Sequence, residues 1–240
     1  DNDSDGLIDC DDSDCEGSPD CEEDLACQSL QFDNSDYPHY VQVEQADELS
    51  AYDTDFTYEA WFKSSFESHS RALLGAYAGT TSQLMIIYAN YEPQGWNGVT
   101  SNGDVVWELS SGVTELDSLW HHVAMVRTDG DVSMYLDGKL KVEGSSSQGD
   151  LAVILADFFI GNRVSGDTGM GWRGRIDEVR ISSVARYSAD FTPSTSYSVD
   201  ADTIALWNFN EGTGTTAGDS SGGGHDGTIE GAIWVEDCPQ

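Results

Sequence analysis

Asp1, Asp3, Asp5, Gly6, Leu7, Asp9 and Asp12 stand at places 1, 3, 5, 6, 7, 9 and 12 of a twelve-residue calcium loop. In that spacing the oxygens at the first three places reach a common point and the glycine permits the sharp turn. The Leu7 carbonyl adds a ligand, and Asp12 closes the sphere. The same template fits again eleven residues on, with Asp12, Asp14, Glu16, Gly17, the Ser18 carbonyl, Asp20 and Glu23, so Asp12 can bridge two ions. Glu16 and Pro19 are the less standard residues of this second register. The first 24 residues hold twelve acids and no base, a run unable to pack on its own. A solvated acidic linker is the alternative, and two registers sharing one ligand favour calcium over it. No periodic helical segment flanks the loops, so they are not a helix–loop–helix unit.

A second chemistry is carbohydrate recognition, in which exposed aromatic rings lie over sugar faces while amides and carboxylates bond the hydroxyls. Trp96, in Pro93-Gln94-Gly95-Trp96-Asn97-Gly98, heads the candidates. That segment reads as a loop, with Tyr88, Asn90 and Tyr91 just before it and Trp107 brought alongside by a hairpin. Tyr88 and Trp107 read as core, so Trp96, Tyr91 and Asn97 are the expected ligand contacts. His121 and His122 invite a metal or catalytic reading, but adjacent strand residues point to opposite faces and cannot grip one ion together. His39, His69 and His225 lie in loop-like surroundings and read as surface residues. There is no GxSxG nucleophile motif and no phosphate-cradling glycine loop; Gly222-Gly223-Gly224 reads as a flexible turn.

The 240 residues carry 44 Asp and Glu against 10 Lys and Arg, a formal net charge of -34. Such a chain repels phosphate backbones and anionic lipid, which excludes nucleic-acid binding by counterion release; its expected partners include calcium ions. Hydrophobic residues make up 38% of the chain, with seven Trp. That is too many for a disordered acidic polymer, so the acids must decorate a folded body. No apolar run is long enough to cross a bilayer as a helix, and no membrane insertion is expected. The opening at Asp1 is acidic and unlike a signal peptide, which reads as a mature product or a fragment. Cysteines at 10, 15, 21, 27 and 238 are spaced wrongly for a zinc site and suggest disulfides, hence a secreted or cell-surface protein.

From Cys27 onward, short β-type runs alternate with Gly, Ser, Asn and Asp clusters. Phe56, Tyr58, Ala60 and Phe62 alternate with Thr57, Glu59, Trp61 and Lys63, which predicts a strand with two differently packed faces. Further strands are expected at 29–32, 40–43, 71–77, 84–88, 105–109, 120–127, 132–136, 139–143, 158–161, 175–182, 203–209 and 232–235. Asp129-Gly130 and Asp137-Gly138 signal tight turns, and 218–224 reads as a loose stretch. The expected fold is all-β, a two-sheet antiparallel jelly-roll sandwich behind an irregular acidic segment.

Two resemblances sharpen this. The segment DNDSDGLIDCDDSDCEGSPDC resembles a thrombospondin type 3 repeat, which implies a local Cys15–Cys21 bridge. Cys10 would then pair with a cysteine upstream or remain available to another chain. The segments DFTYEAWFK, WHHVAMVRTDGDVSMYLDGK, FIGN, WRGRIDEVRISSVARY and ALWNFNEGTGTTAGDSSGGGHDGTIEGAIW resemble the LamG-like jelly roll of the concanavalin A-like lectin and glucanase superfamily, over residues 29 to 237. That resemblance makes the first and last strands neighbours and so implies a Cys27–Cys238 disulfide, with a boundary between a linker at 1–26 and a sandwich at 27–240. It places a core aromatic at Trp172 and makes the adjacent histidines structural; Trp61, Trp207 and Trp234 lie in expected strands and read as core. It also implies a calcium on the sandwich, held by Asp177 and by Asp33 with Asp36 in the turn after Phe32, which Asp219 could join; Asx turns, or pairing of Asp177 with Arg175 or Arg180, are the alternative.

The glycosidases of that superfamily carry Glu-x-Asp-x-Glu on one strand, so that two carboxyls flank the glycosidic bond. Here Glu59 stands alone and Asp177 and Glu178, being adjacent, are expected to point opposite ways. The function expected is a non-catalytic extracellular calcium-binding module for adhesion or for recognition of a glycan or an extracellular protein. A calcium-assembled, self-associating subunit of an extracellular filament or surface layer is the alternative, and a glycoside hydrolase comes third.

Overall fold

The alternating Phe56, Tyr58, Ala60 and Phe62 turn toward a shared interior and are buried there. The computed structural model describes residues 27–33, 37–44, 49, 54–64, 71–77, 82–89, 92–99, 105–110, 118–145, 157–167 and 169–240. Among them there is no α-helix. The first sheet takes, in spatial order, β10 (Lys139–Ser145), β9 (Asp131–Leu136), β8 (Trp120–Thr128), β3 (Phe56–Ser64), β12 (Arg173–Ser182), β1 (Gln28–Asp33) and β16 (Ile233–Glu236), while β13 (Thr203–Trp207) pairs with the far half of β12. The second runs β14 (Thr216–Ala217), β15 (Gly227–Glu230), β2 (Tyr40–Val43), β11 (Phe158–Ile160), β4 (Arg71–Tyr77), β5 (Ser82–Ala89), β6 (Glu92–Val99) and β7 (Val105–Ser110). The two antiparallel sheets form a sandwich, as the alternation predicts.

One core lies between them. Leu30, Phe32, Phe62, Met125, Ile176 and Val179 come from the first sheet and meet Val41, Leu74, Phe158 and Ile160 from the second. Phe158 stacks on Trp207 at 6.1 Å, and Trp172 meets Phe62 edge-on at 5.7 Å. Each such buried side chain contributes roughly 1.5–3 kcal/mol. The Asp-Gly turns form as expected, with positive φ at Asp129, Gly130, Asp137 and Gly138.

The segment Pro93–Gly98 differs from the expectation, because it is not a loop but the body of β6. Its Gln94–Gly98 stretch is paired on both sides, whereas Pro93 faces Tyr88 of β5 and lies beyond the pairing with β7, so its missing N–H breaks no bond on that side. The short strands β14 and β15 also escape the sequence reading. Nor is 218–224 loose: the Asp219 carboxylate accepts the N–H groups of Leu206, Ser221 and His225 and the Ser221 hydroxyl, which fixes the turn.

Residues 183–202 follow β12 without forming a strand and cross the outer face of the first sheet as a strap. Thr57 Oγ1 donates to Val184 O and accepts from Arg186 N–H. Phe191 N–H donates to Gly138 O, and Trp61 Nε1 to Ser194 O. Gly138 is needed at this crossing, since a Cβ there would stand 2.0 Å from the Phe191 carbonyl oxygen. The strap buries Tyr187, Phe191 and Tyr197 against Ala124, Tyr135, Trp61 and Leu206, and so makes a third layer on one side of the sandwich.

The ends of the described chain are tied together. β1 pairs with β16, Cys27 is bonded to Cys238, and the Asp237 carboxylate beside it receives Lys63 Nζ at 2.9 Å, Trp120 Nε1 at 3.0 Å and Arg175. The bridge closes 211 residues of sequence separation. Replacing both cysteines by serine should lower the unfolding free energy in urea by about 2–5 kcal/mol; a loss below about 1 kcal/mol would show that the β1–β16 pairing closes the sandwich without it.

Candidate functional site

Two places on the first sheet's outer face gather polar and ionisable groups. The first lies under the strap. Glu59 has no exposure, and its Oε1 accepts Arg180 Nε at 2.8 Å and a second guanidinium nitrogen at 2.7 Å. Its Oε2 accepts the Tyr187 hydroxyl at 2.8 Å and lies 3.2 Å from His122 Nε2, which is also 2.8 Å from the Tyr197 hydroxyl. His122 Nδ1 is buried and makes no hydrogen bond. The Arg180 guanidinium lies 3.9 Å from the centre of the Tyr197 ring. Burial pushes the Glu59 carboxyl up, but the His122 hydrogen bond and charge, Arg180 and Tyr187 outweigh it and bring its pKa down to about 2. For Tyr187 and Tyr197, burial first and the Glu59 charge next raise the phenols, which stay protonated.

His121 turns the other way, and its Nδ1 meets Asp137 Oδ2 at 2.9 Å. The two histidines thus have separate partners, as the alternation requires. His225 is buried rather than the surface residue the sequence suggests, while the half-buried His39 accepts the Asp33 N–H at Nδ1; His69 lies outside the described residues.

The second place is a notch where β12 changes partners. β1 pairs with Arg173–Ile176 and β13 with Val179–Ser182, and at the changeover Glu178 and Val179 lie opposite the single Ala60 of β3, a bulge with Glu178 at φ 48°. The bulge corrects the expectation that these two acids point apart. Ile176 and Val179 both face the core, which leaves Asp177 and Glu178 to the outer side. Asp177 Oδ1 accepts the Glu178 N–H at 2.8 Å; Glu178 Oε2 accepts Tyr197 N–H and Asn208 Nδ2, both at 2.9 Å. An open pocket of about 270 Å³ lined by Asn208, Phe209, Asn210, Glu211 and Ser220 lies in the chain that follows β13. Asp177 is 2% exposed, and burial, then the charges of Glu178 and Glu211, push its carboxyl up to about 9. Burial raises Glu178 as well, against its bonds from Asn208 and Tyr197.

Of the expected sandwich calcium set, Asp36 lies outside the described residues, and Asp33 and Asp177 do not come together. Asp33 is opposite Arg173, four positions along β12 from Asp177 and so about 13 Å away. Asp219 is taken up by its own turn. Arg175 and Arg180 bind Asp237 and Glu59 rather than Asp177. Among the described residues no three His, Cys, Asp or Glu side chains converge on a metal point. A cation at the notch would draw on the oxygens of Asp177 and Glu178, the Asn208 amide and backbone carbonyls, an all-oxygen set suited to calcium. Asp1, Asp3, Asp5, Leu7, Asp9, Asp12, Asp14, Glu16, Ser18, Asp20 and Glu23, with Cys15, Cys21 and Tyr91, lie outside the described residues. Trp96 and Asn97 sit in β6, with Trp96 opposite Met85 and Glu108 and Asn97 opposite Leu84 and Trp107. The two tryptophans are thus offset by one register position and are not cross-strand partners.

Sequence reasoning missed the strap. The signal was available in three aromatics, Tyr187, Phe191 and Tyr197, within a stretch that lacks strand alternation, because rings in such a stretch need a surface to cover.

Residues 35–190 match the laminin G-type family of the concanavalin A-like lectin/glucanases superfamily, and the chain belongs to that family. No curated protein sequence matches it. Among solved structures, the fold is shared with a candidate carbohydrate-binding protein of Bacteroides ovatus, at 18% identity and a TM-score of 0.66 over 88% of this chain and 60% of that one. Domains LG4-5 of the mouse laminin alpha1 chain align at 15% identity and 0.53, over 67% of this chain and 43% of theirs. A CBM40 module of Ruminococcus gnavus IT-sialidase, bound to alpha2,3 sialyllactose, aligns at 12% identity and 0.51, over 70% and 93%.

Glu59→Gln should cost about 3–5 kcal/mol in urea unfolding, since it leaves Arg180 buried without its counter-charge; a loss below about 1 kcal/mol would mean the network is not held by that charge. Asp177 has the opposite sign. Its folded pKa lies above the ordinary 3.8, so its ionisation penalises the fold progressively as pH rises from about 4 to about 9. Asp177→Asn keeps the acceptor for Glu178 N–H, and in chelator it should stabilise the protein by an amount that is negligible near pH 4 and grows toward pH 9. A gain independent of pH would contradict the buried-acid assignment.

Proposed function

We propose that this chain is a non-catalytic recognition module that binds a glycan or an extracellular protein and is displayed outside the cell. The observation that carries the reading is the family fold, a laminin G-type sandwich shared over 88% of the chain with a candidate carbohydrate-binding protein. The sialyllactose complex of the R. gnavus module has the same fold. Glu59, the acid standing alone in β3, is sealed under the strap against Arg180, where it meets no substrate. The Cys27–Cys238 bridge suits an oxidising compartment. Trp96, Tyr91 and Asn97 are the proposed ligand contacts.

Calcium belongs to the same proposal. Residues 1–23 supply two overlapping oxygen-ligand registers, and ions held there would neutralise the acids and stiffen the linker. At the notch, a cation would favour the ionised form of Asp177 and relieve its repulsion with Glu178 and Glu211.

A glycan array probed in millimolar calcium should retain the protein on a restricted set of glycans, with retention lost in Trp96→Ala and reduced in chelator. Sedimentation of the same samples should give a monomer that becomes more extended in chelator; calcium-driven growth into ordered polymers with no glycan preference would replace this reading with that of a structural subunit. Calorimetric titration with calcium should lose most of its heat when residues 1–26 are removed, and calcium should release protons near pH 7 from the wild type but fewer from Asp177→Asn.

A further inference from the structure

The strap does more than cover the sheet. Its outgoing and returning arms leave an opening of about 380 Å³ between them, with Arg180 in the floor and Tyr187, Thr192, Ser194, Ser196, Tyr197, Ser198, Val199 and Asp200 around it. That size is in the lower part of the range of about 300–1,000 Å³ found for small-molecule sites. We propose that this opening is a second recognition site, which takes a single neutral, hydroxyl-rich ring such as a pyranose unit of a glycan. It rests on the recognition reading of the fold and is independent of Trp96.

The charges at the opening cancel in pairs. Arg180 is matched by Glu59, and the one carboxylate in the lining, Asp200, is gripped by Arg186 through two N–H bonds of 2.7 and 2.8 Å and by the Thr203 hydroxyl at 2.8 Å. These bonds, Arg186 foremost, hold the Asp200 carboxyl well below the usual carboxylate range. Neither charge is left over to hold an anion or a cation. The surrounding field of a chain at -34 repels anions further. An apolar ligand fits no better, because Val199 is the one aliphatic residue in the lining.

What the opening offers instead is hydrogen-bonding capacity beside aromatic carbon. Thr192, Ser196 and Ser198 are exposed, and their hydroxyls make no hydrogen bond within the described protein. The Ser194 hydroxyl is committed to Ser196 O at 2.6 Å. Tyr187 is clamped by stacking on Phe191 at 3.5 Å and by its bond to Glu59, and Tyr197 by Arg180 and by Glu178 at its backbone N–H. The walls are therefore set before any ligand arrives, which spares the ligand the cost of ordering them. A free hydroxyl pairs with a sugar hydroxyl as donor or acceptor, and the half-buried Tyr187 supplies aromatic carbon for a C–H face of the ring.

The test uses the full chain in millimolar calcium and methyl glycosides of glucose, galactose, mannose, N-acetylglucosamine and, as an anionic control, glucuronic acid. Saturation-transfer NMR reads which sugars touch the protein. Ser196→Trp and Ser198→Trp fill the opening from its exposed rim without touching the buried network, and near-ultraviolet circular dichroism checks their folding. Measured in the Trp96→Ala background, at least one neutral glycoside should give transfer, weakened about tenfold or more by either added tryptophan. The proposal is overturned if no neutral glycoside transfers at about 10 mM, if the glucuronide binds in preference, or if transfer is indifferent to both tryptophans. In that last case, array binding that depends on Trp96 leaves the recognition reading standing while this site falls.

Discussion

A carboxylate with no exposure lies in the middle of the first sheet's outer face, and the packing of that face follows from keeping it charged. Removing an ion from water costs several kcal/mol, which only close counter-charge and hydrogen bonds offset. Glu59 obtains these from Arg180 on β12, His122 on β8 and Tyr187 on the strap. Each partner must then be shielded in turn. Tyr197 covers Arg180, Phe191 packs edge-on against His122, and the strap that carries both passes so near the β9–β10 turn that residue 138 has to be glycine. A sheet face that would otherwise meet water therefore becomes an interior, and β3 is buried on both sides along most of its length.

The other organising feature is the bulge in β12. A regular ten-residue strand would give one edge to a single neighbour, whereas this one serves β1 along its first half and β13 along its second. The extra residue is absorbed at Glu178–Val179, which keeps Ile176 and Val179 in the core and sends Asp177 and Glu178 to the same side. Their environments then separate them. Glu178 has two hydrogen bonds from the strap and the segment after β13, while Asp177, among the described residues, accepts its neighbour's N–H and is raised by burial and then by the charges of Glu178 and Glu211.

With ten basic residues against 44 acids, the placement of the bases is informative. Lys63 and Arg175 converge on Asp237 beside the disulfide, Arg180 holds Glu59, Arg186 holds Asp200, and Arg163 binds Asp167 at 2.6 Å. These five sit at closures, where the chain ends meet, where the strap crosses and where a loop folds back. The acids exceed the bases by 34, and their mutual repulsion favours counter-ions around the protein.

The sequence by itself determined the sheet-forming register. Alternation at Phe56–Phe62 and at Trp120–Ala124 needs only the two-residue period of a strand, and the Asp-Gly pairs need only their tolerance of positive φ, so faces and hairpins were legible residue by residue. The family was legible from the same segments, and with it the Cys27–Cys238 closure. β6 was not, because Pro93, Gly95 and Gly98 carry turn propensity that pairing with two neighbours overrides. The partners of Glu59, the shared side of Asp177 and Glu178, and the opening under the strap were decided by tertiary structure alone. Each depends on groups separated by 19 to 128 positions in the chain, and no local period encodes which distant carboxylate a guanidinium will meet once the sheet has brought them together.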